Sequence, residues 1–292
     1  MFPFLQTVDL RNLSLEYEVM EATVFQLENC RSTSVLVFPG TFSDLNFLEH
    51  ISFHNVGRLT LEHNSINLQP LVDNIVSLNF SLITNLSIRK DAVYIKPRNK
   101  CTNSKVRVNF KHSTLISLMK HAIVTNLQEL TMEEMTVRAR PWPEAIVVLG
   151  LAGASVSLKS VSIKKGLTGR WITGNISRLS IIGCNLRLLP EAFAGVNIVE
   201  DKESNAGIIL FGNNFMMPSL PKHAFPSDAP VLLAQKNRIV CQCHTLTWLL
   251  EPPNSPLKDS VKDSLICRNE NLYSFLPSCE THFPSTAYDS EN

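Results

Sequence analysis

Ile176-Ser177-Arg178-Leu179-Ser180-Ile181-Ile182-Gly183-Cys184-Asn185-Leu186 carries apolar residues at its first, fourth, sixth and eleventh positions and a cysteine at its ninth. The alternation of Leu179 and Ile181 predicts a short strand that buries two side chains on one face. The ninth position marks a turn, where a buried Asn amide or Cys thiol can satisfy backbone groups that the turn leaves unpaired. Working outward, the pattern recurs at Val56-x-x-Leu59-x-Leu61-x-x-Asn64-x-Ile66 and at Ile83-x-x-Leu86-x-Ile88-x-x-Asp91-x-Val93. It recurs again at Leu127-x-x-Leu130-x-Met132-x-x-Met135-x-Val137, at Ile208-x-Leu210-x-x-Asn213-x-Phe215 and at Leu232-x-Ala234-x-x-Asn237-x-Ile239. Weaker copies fit at Leu5-x-x-Val8-x-Leu10, Val106-x-Val108 and Leu158-x-x-Val161-x-Ile163.

The ninth positions, residues 64, 91, 111, 135, 166, 184, 213 and 237, lie 18 to 31 residues apart. That spacing suits a repeat of one supersecondary unit, stacked so that neighbours bury a core that no single copy could bury. Six good copies in order argue against chance matches in an ordinary α/β domain. The outer side of the array is assigned to Pro39-x-x-Phe42-x-x-Leu45-x-x-Leu48, Leu189-Pro-Glu-Ala-Phe193 and Leu220-Pro-Lys-His-Ala-Phe225, as helical or turn segments.

Composition narrows the classes further. With 292 residues, 44% of them hydrophobic and 18% charged, the chain has the apolar content of a folded protein. A net charge of +1 gives no global reason to expect nucleic acid. Residues 145–158 are the longest uncharged apolar run, too short for a membrane span of about 20 residues. Residues 1–7 show no readable secretory signal, because Met1-Phe-Pro-Phe-Leu5 lacks a basic start.

Seven cysteines stand at 30, 101, 184, 241, 243, 267 and 279, and the last four follow the final repeat directly. Together with Trp248-Leu249, the run Cys241-Gln-Cys243, then Cys267 and Cys279, is similar to the cysteine-rich C-terminal cap of extracellular leucine-rich repeat proteins. The repeats over residues 42–279 resemble the same family, and their looseness is most like its small arthropod-type members. The resemblance implies an α/β leucine-rich repeat solenoid, curved, with short parallel strands on its concave face and a disulfide-bonded cap. It implies bridges Cys241–Cys267 and Cys243–Cys279, and places Cys184 at the ninth position, where the family often has Cys. A zinc site from Cys241, Cys243, His244 and Cys267 is the rival reading, though Cys-x-Cys is tight for metal ligands. Cys30 and Cys101 either bridge or stay separate thiols, and the odd total leaves at least one cysteine over. Bridged caps imply an oxidising compartment. The expectation is therefore an extracellular protein, secreted or at the cell surface, whose signal peptide is missing from this sequence. Sequons at Asn12, Asn79, Asn85 and Asn175 permit glycosylation. The implied organisation is a repeat array over 1–239, a cap over 240–280 and a disordered polar tail over 281–292.

No catalytic constellation emerges. The chain has no G-x-S-x-G, no P-loop and no H-E-x-x-H. Gly150-Leu-Ala-Gly153 lacks the third glycine of a dinucleotide turn, and His50, His54 and His63 read as scattered loop histidines. The expected function is non-enzymatic protein recognition, with no metal or cofactor. Two alternatives are an intracellular scaffold or adaptor and a non-catalytic subunit of a secreted complex. In the resembled family a protein ligand binds the concave face. Outward positions of the copies give Arg58, Glu62, His63, Arg89, Lys90, Lys105, Arg107, Phe110, Glu129, Glu133, Glu134, Lys164, Lys165 and Arg178 as its binding residues. These form basic, acidic and basic bands. Residues 89–112 hold eight Lys or Arg against Asp91, which suggests a sulfated glycan or an acidic surface as partner of that segment.

Overall fold

The structure, a computed structural model, describes residues 7–9, 23–43, 45, 47–70, 75–97, 105–150, 152–200, 206–216, 220–221, 223–226, 228–249, 255–267, 270–272 and 274–275. The chain winds as a parallel β-solenoid of about eight turns. Each full turn has three faces. Face 1 holds the strands Val24–Val37 and His50–Leu61 in their first halves, then Ile75–Ser81, Lys105–Lys111, Leu127–Glu133, Ala154–Lys159, the second half of Ile172–Ile182, Gly207–Phe211 and Val231–Gln235. These nine rungs are numbered 1 to 9 below. Face 2 continues after a sharp corner with Asn85–Ile88, Thr114–Leu118, Thr136–Val137, Ser162–Leu167, Asn185–Leu188, Asn214–Phe215 and Asn237–Ile239. Face 3 is a return strand, as in Phe42–Ser43, Ile66–Leu68, Val93–Ile95, Ile123–Thr125 and Ile146–Val148.

The period-2 pattern of the sequence explains the packing. On face 1, Ile51, Leu78, Val108, Leu130, Val156, Leu179 and Ile208 pair in register from rung to rung and point inward. Two residues on, Phe53, Phe80, Phe110, Met132, Leu158, Ile181 and Leu210 form a second inward column. Its aromatic members stack, with Phe53–Phe80 centroids 5.8 Å apart and Phe80–Phe110 5.1 Å. Stacking the rungs removes this apolar surface from water, at roughly 25 cal/mol per Å².

Both corners flanking face 2 are made by left-handed residues. Asn29, Asn55, Leu82, His112, Glu134, Ser160, Gly183, Gly212 and Lys236 occupy the first, and Gly40, Asn64, Asp91, His121, Glu144, Arg170, Glu191 and His223 the second. Within each column a residue's N–H commonly donates to the carbonyl of its counterpart or that counterpart's neighbour, as from Glu144 to Arg170 at 2.7 Å and from Ser160 to Ile182 at 2.9 Å. Repeated across rungs, these bonds offset the cost of the left-handed backbone.

Three sequence expectations change here. Of the helical or turn segments expected on the outer side, none is a helix: that side is a return strand or turn, and the helical residues among those described, in Cys243–Leu246, Thr247–Leu249, Pro256–Ser264 and at 272, 274 and 275, all lie in the C-terminal segment. Of the anticipated outer motifs, Phe42 is buried in a return strand, and Phe193 and Phe225 are buried outside any strand or helix and stack at 5.1 Å. Second, the copies do not share one register. Leu59 and Leu86 lie on face 2, whereas Leu130, Leu179 and Leu210 lie on face 1. Asn64 and Asp91 are therefore residues of the second corner, and the buried turn position in rungs 2 and 3 is held by Val56 and Ile83. Third, Lys111 points outward and Ser113 takes the buried position, donating to Lys111 O at 2.7 Å and accepting from Ile83 N at 2.9 Å. Likewise Val161 takes the position assigned to Gly166.

The polar ladder holds where Cys and Asn occur. Asn237 Oδ1 accepts from Asn213 N at 3.1 Å, Asn213 Oδ1 accepts from Cys184 N at 2.9 Å, and Cys184 Sγ accepts from Val161 N at 3.4 Å. Burial pushes the Cys184 thiol above its usual pKa.

At the C-terminal end, Cys241 and Cys267 form a disulfide with Cα atoms 5.6 Å apart. This excludes them as zinc ligands. Cys243 is also disulfide-bonded, while its expected mate Cys279 lies outside the described residues. The helix Pro256–Ser264 is N-capped by Ser255, whose Oγ accepts from Lys258 N at 3.3 Å. It packs beside Val231–Gln235 and covers the last edge of face 1, while Leu265–Cys267 extends face 2 by one strand. Trp248 Nε1 donates to Leu220 O at 3.0 Å. Cys30 is a free thiol, so no Cys30–Cys101 bridge forms. Cys101, Asn12 and the tail 281–292 lie outside the described residues. No helix among those described is long and apolar enough to cross a membrane.

Candidate binding faces

Outward side chains on face 1 fall into three columns, because alternate residues of each strand leave the core. The middle column is short and polar: Ser52, Asn79, Asn109, Thr131, Ser157 and Ser180 stand in register on rungs 2 to 7. Asn109 Nδ2 donates to Asn79 Oδ1 at 2.9 Å. One flanking column runs His50, Ser77, Arg107, Glu129, Ser155 and Arg178, and the other His54, Ser81, Lys111, Glu133 and Lys159.

Opposite charges occupy adjacent rungs. Glu133 lies 3.4 Å from Lys111 Nζ and 2.9 Å from Lys159 Nζ, and Arg107 lies 3.8 Å from Glu129. Lys159 first, then Lys111, holds the Glu133 carboxyl below the usual carboxylate range, and Glu133 in turn raises the Lys159 ammonium. Beside them on the first corner, His112 Nδ1 sits 2.9 Å from Glu134. The bands read from the sequence are thus bonded to one another across the rungs.

After rung 6 the chemistry of face 1 changes. The column of Lys159 continues as Ile182 and Phe211, and that of Ser180 as Ile209 and Leu233. Leu233 and its neighbour Leu232 are exposed, and Lys236 Nζ lies 5.5 Å from the Phe211 ring. An apolar end thus adjoins a polar, charge-paired stretch on one continuous sheet face.

The fourteen sequence-predicted binding residues do not share one face. Arg107, Glu129, Glu133 and Arg178 stand on face 1, with Lys105 at the start of its strand and Glu134 at the corner. Phe110 does not belong with them: it is 1% exposed, inside the aromatic stack, because the copy at residues 106–108 was read two residues out of register. Arg58 is on face 2. Glu62, His63, Arg89 and Lys90 lie at the end of face 2, where Arg89 meets Glu62 at 3.8 Å and Lys90 meets Asp91 at 3.7 Å. Lys164 and Lys165 are exposed on face 2 of rung 6.

This also alters the reading of the 89–112 segment. Four of its cations, Arg89, Lys90, Arg107 and Lys111, lie within 4.0 Å of carboxylates. Lys96 and Lys105 are described without such a pair, and Arg98 and Lys100 lie outside the described residues.

The apolar end of face 1 was missed from sequence. Its signal was the loss of polar alternation in Ile208-Ile209-Leu210-Phe211 and Leu232-Leu233: the repeat template leaves Ile209, Phe211 and Leu233 unassigned and puts Leu232 inside, where the structure exposes it. No group of three or more His, Cys, Asp or Glu suited to a metal ion occurs among the described residues. Comparisons with protein-family models, curated proteins and solved structures find no match to this chain.

Proposed function

We propose that this chain is an extracellular recognition module that binds a protein ligand on face 1, without catalysis. The observation that carries the reading is the apolar group Ile182, Ile209, Phe211 and Leu233, presented outward at the end of an ordered, charge-paired sheet face. Apolar anchors beside satisfied polar columns are what a protein interface requires, with a desolvated centre and a hydrophilic rim. The rungs hold these side chains in fixed spacing, so little ordering entropy remains to be lost on binding. The Cys241–Cys267 bridge supports an oxidising compartment. The leucine-rich repeat resemblance belongs to this proposal too: the buried Cys184–Asn213–Asn237 ladder and the disulfide cap support it, while the β-strand return side is a departure from the helical form.

The test is a binding screen of the purified chain against an array of extracellular domains, repeated with Phe211→Asp and Leu233→Asp. The reading expects a partner whose binding falls at least tenfold in both variants and survives Tyr94→Asp on face 3. A partner lost only with Tyr94→Asp, or an array without any partner, contradicts it.

A further inference from the structure

Among the described residues, cations that recur on adjacent rungs are paired with acids, with one exception. On face 1 the order is Lys111, Glu133, Lys159; at the second corner it is Asp91, His121, Glu144, Arg170, Glu191, with His121 3.5 Å from Asp91 and 3.3 Å from Glu144. On face 2, Val137, Ile163 and Leu186 pair in register and point inward. The next residue of each strand therefore points outward: Arg138, Lys164 and Arg187. Three like charges thus follow the same inward position on three successive turns, and like charges on neighbouring strands disfavour a sheet. No described carboxylate lies within ion-pair distance of any of them, and Arg187 Nε is buried without a hydrogen-bond partner.

Local backbone features strengthen the exception. Between Ile163 and Leu167 the register shifts, because rung 6 has two more residues here than Leu186–Leu188 of rung 7. The resulting bulge, turned by Gly166 at φ +96°, displays Lys164 and Lys165 outward. Arg140 Nε donates to Lys165 O at 3.4 Å and so fastens the neighbouring rung to the bulge. On the same turn as Arg138 stands Pro141-Trp142-Pro143. Thr168 Oγ1 donates to Pro141 O at 2.5 Å, and Trp142 N donates to Leu118 O at 3.0 Å. Trp142 is held from both sides yet is 54% exposed.

We propose that the column Arg138–Lys164–Arg187, with Arg140, Lys165 and Trp142 beside it, is a binding site for a sulfated glycan. Guanidinium groups match oxoanions in bidentate geometry, and a sulfate between successive cations removes their mutual repulsion. The indole offers a flat apolar surface for the C–H face of a pyranose ring. Three rungs span about 10 Å, two steps of about 4.8 Å. That suits a short run of sugars; a single-stranded nucleic acid would need a longer basic groove with several aromatic platforms. This site is separate from face 1 and does not depend on the protein ligand proposed there.

Titration calorimetry of the intact chain with a size-defined heparin oligosaccharide tests it, beside a polyglutamate peptide and an oligodeoxynucleotide of equal charge. Arg138→Gln with Lys164→Gln is expected to weaken heparin binding at least tenfold, Trp142→Ala severalfold, and Arg89→Gln with Arg107→Gln not at all. Thermal melts of each variant establish that it is folded, and Arg138→Lys should recover part of the affinity in the folded background. Equal affinity for polyglutamate or the oligonucleotide, or heparin binding unchanged by Trp142→Ala, would overturn the proposal in favour of plain cation exchange. Loss in the Arg89/Arg107 pair instead would place the site elsewhere.

Discussion

The side chain of Asn237 accepts two hydrogen bonds from Asn213, one from its backbone N–H at 3.1 Å and one from its side-chain amide at 2.9 Å. Both residues are buried, and each also donates to a carbonyl of the preceding rung, Asn213 to Ile181 O at 2.7 Å and Asn237 to Leu210 O at 2.9 Å. Replacing Asn213 with Ala removes the side-chain partner of Cys184 N and Ile181 O in a dry interior, while Asn237 Oδ1 keeps its bond from the backbone N–H of residue 213. The expected loss is about 2–3 kcal/mol in a urea melt, where each buried unsatisfied group costs about 1–3 kcal/mol. A loss below about 0.5 kcal/mol would mean that the ladder is not what closes this turn.

Gly174 sits where the return strand of rung 6 runs straight into face 1 of rung 7, with φ +119° and no intervening loop. A Cβ there would stand 2.5 Å from Val148 O. Gly174→Ala is expected to destabilise by about 2–4 kcal/mol, combining overpacking with backbone strain. Chemical denaturation measures it.

Leu82 is a leucine in the left-handed region, at φ 54°, and it is 45% exposed. Asn tolerates that conformation, and little burial is lost on substitution. Leu82→Asn should therefore raise stability by about 0.5–1 kcal/mol, whereas Leu82→Val, β-branched and stiffer, should lower it.

How much of this was legible in the sequence depends on what each residue's signal can specify. Leu179, Ile181 and Leu186 announce their burial by the repeat pattern, whereas the Cys241–Cys267 bridge was legible only through the resemblance of the cysteine-rich segment to a leucine-rich repeat cap. Register is harder, because an apolar-x-apolar pair such as Leu59-x-Leu61 reads the same on face 1 or face 2. That ambiguity put Asn64 and Asp91 on the wrong corner, and the run Val106-x-Val108-x-Phe110, apolar at three alternate positions, allowed the two-residue slip that put Phe110 on the surface. The corners were hidden for another reason: only Asn29, Asn55, Gly183 and Gly212 of the nine first-corner residues carry the usual left-handed signal. The rest are held there by hydrogen bonds between rungs. The charge bands were visible, but the pairing of Lys111 and Lys159 with Glu133 needs the register. So does the unpaired column Arg138–Lys164–Arg187.

Glu133 gives a pH signature. Its carboxyl is held below the usual value by Lys159 and Lys111, so its contribution is intact above an ordinary carboxylate pKa of about 4.3 and is lost as pH falls through the depressed value. Glu133→Gln should lower the melting temperature slightly at pH 7, and the difference from the parent should vanish near pH 2. A difference independent of pH would assign the effect to packing.

The two free thiols among the described residues differ in access. Cys184 is buried, hydrogen-bonded to Leu158 O at 3.3 Å and raised in pKa, while Cys30 is partly exposed. A maleimide should label Cys30 in the native protein and reach Cys184 only on unfolding, as peptide mass mapping will show.

The central claim, recognition through the outward side of face 1, is tested most directly by hydrogen–deuterium exchange of the chain with and without the partner recovered from the extracellular array. The account predicts added protection over residues 180–182, 207–211 and 231–235, where Ile182, Ile209, Phe211 and Leu233 stand. Protection confined to the return strands of face 3, with those segments unchanged, would contradict it.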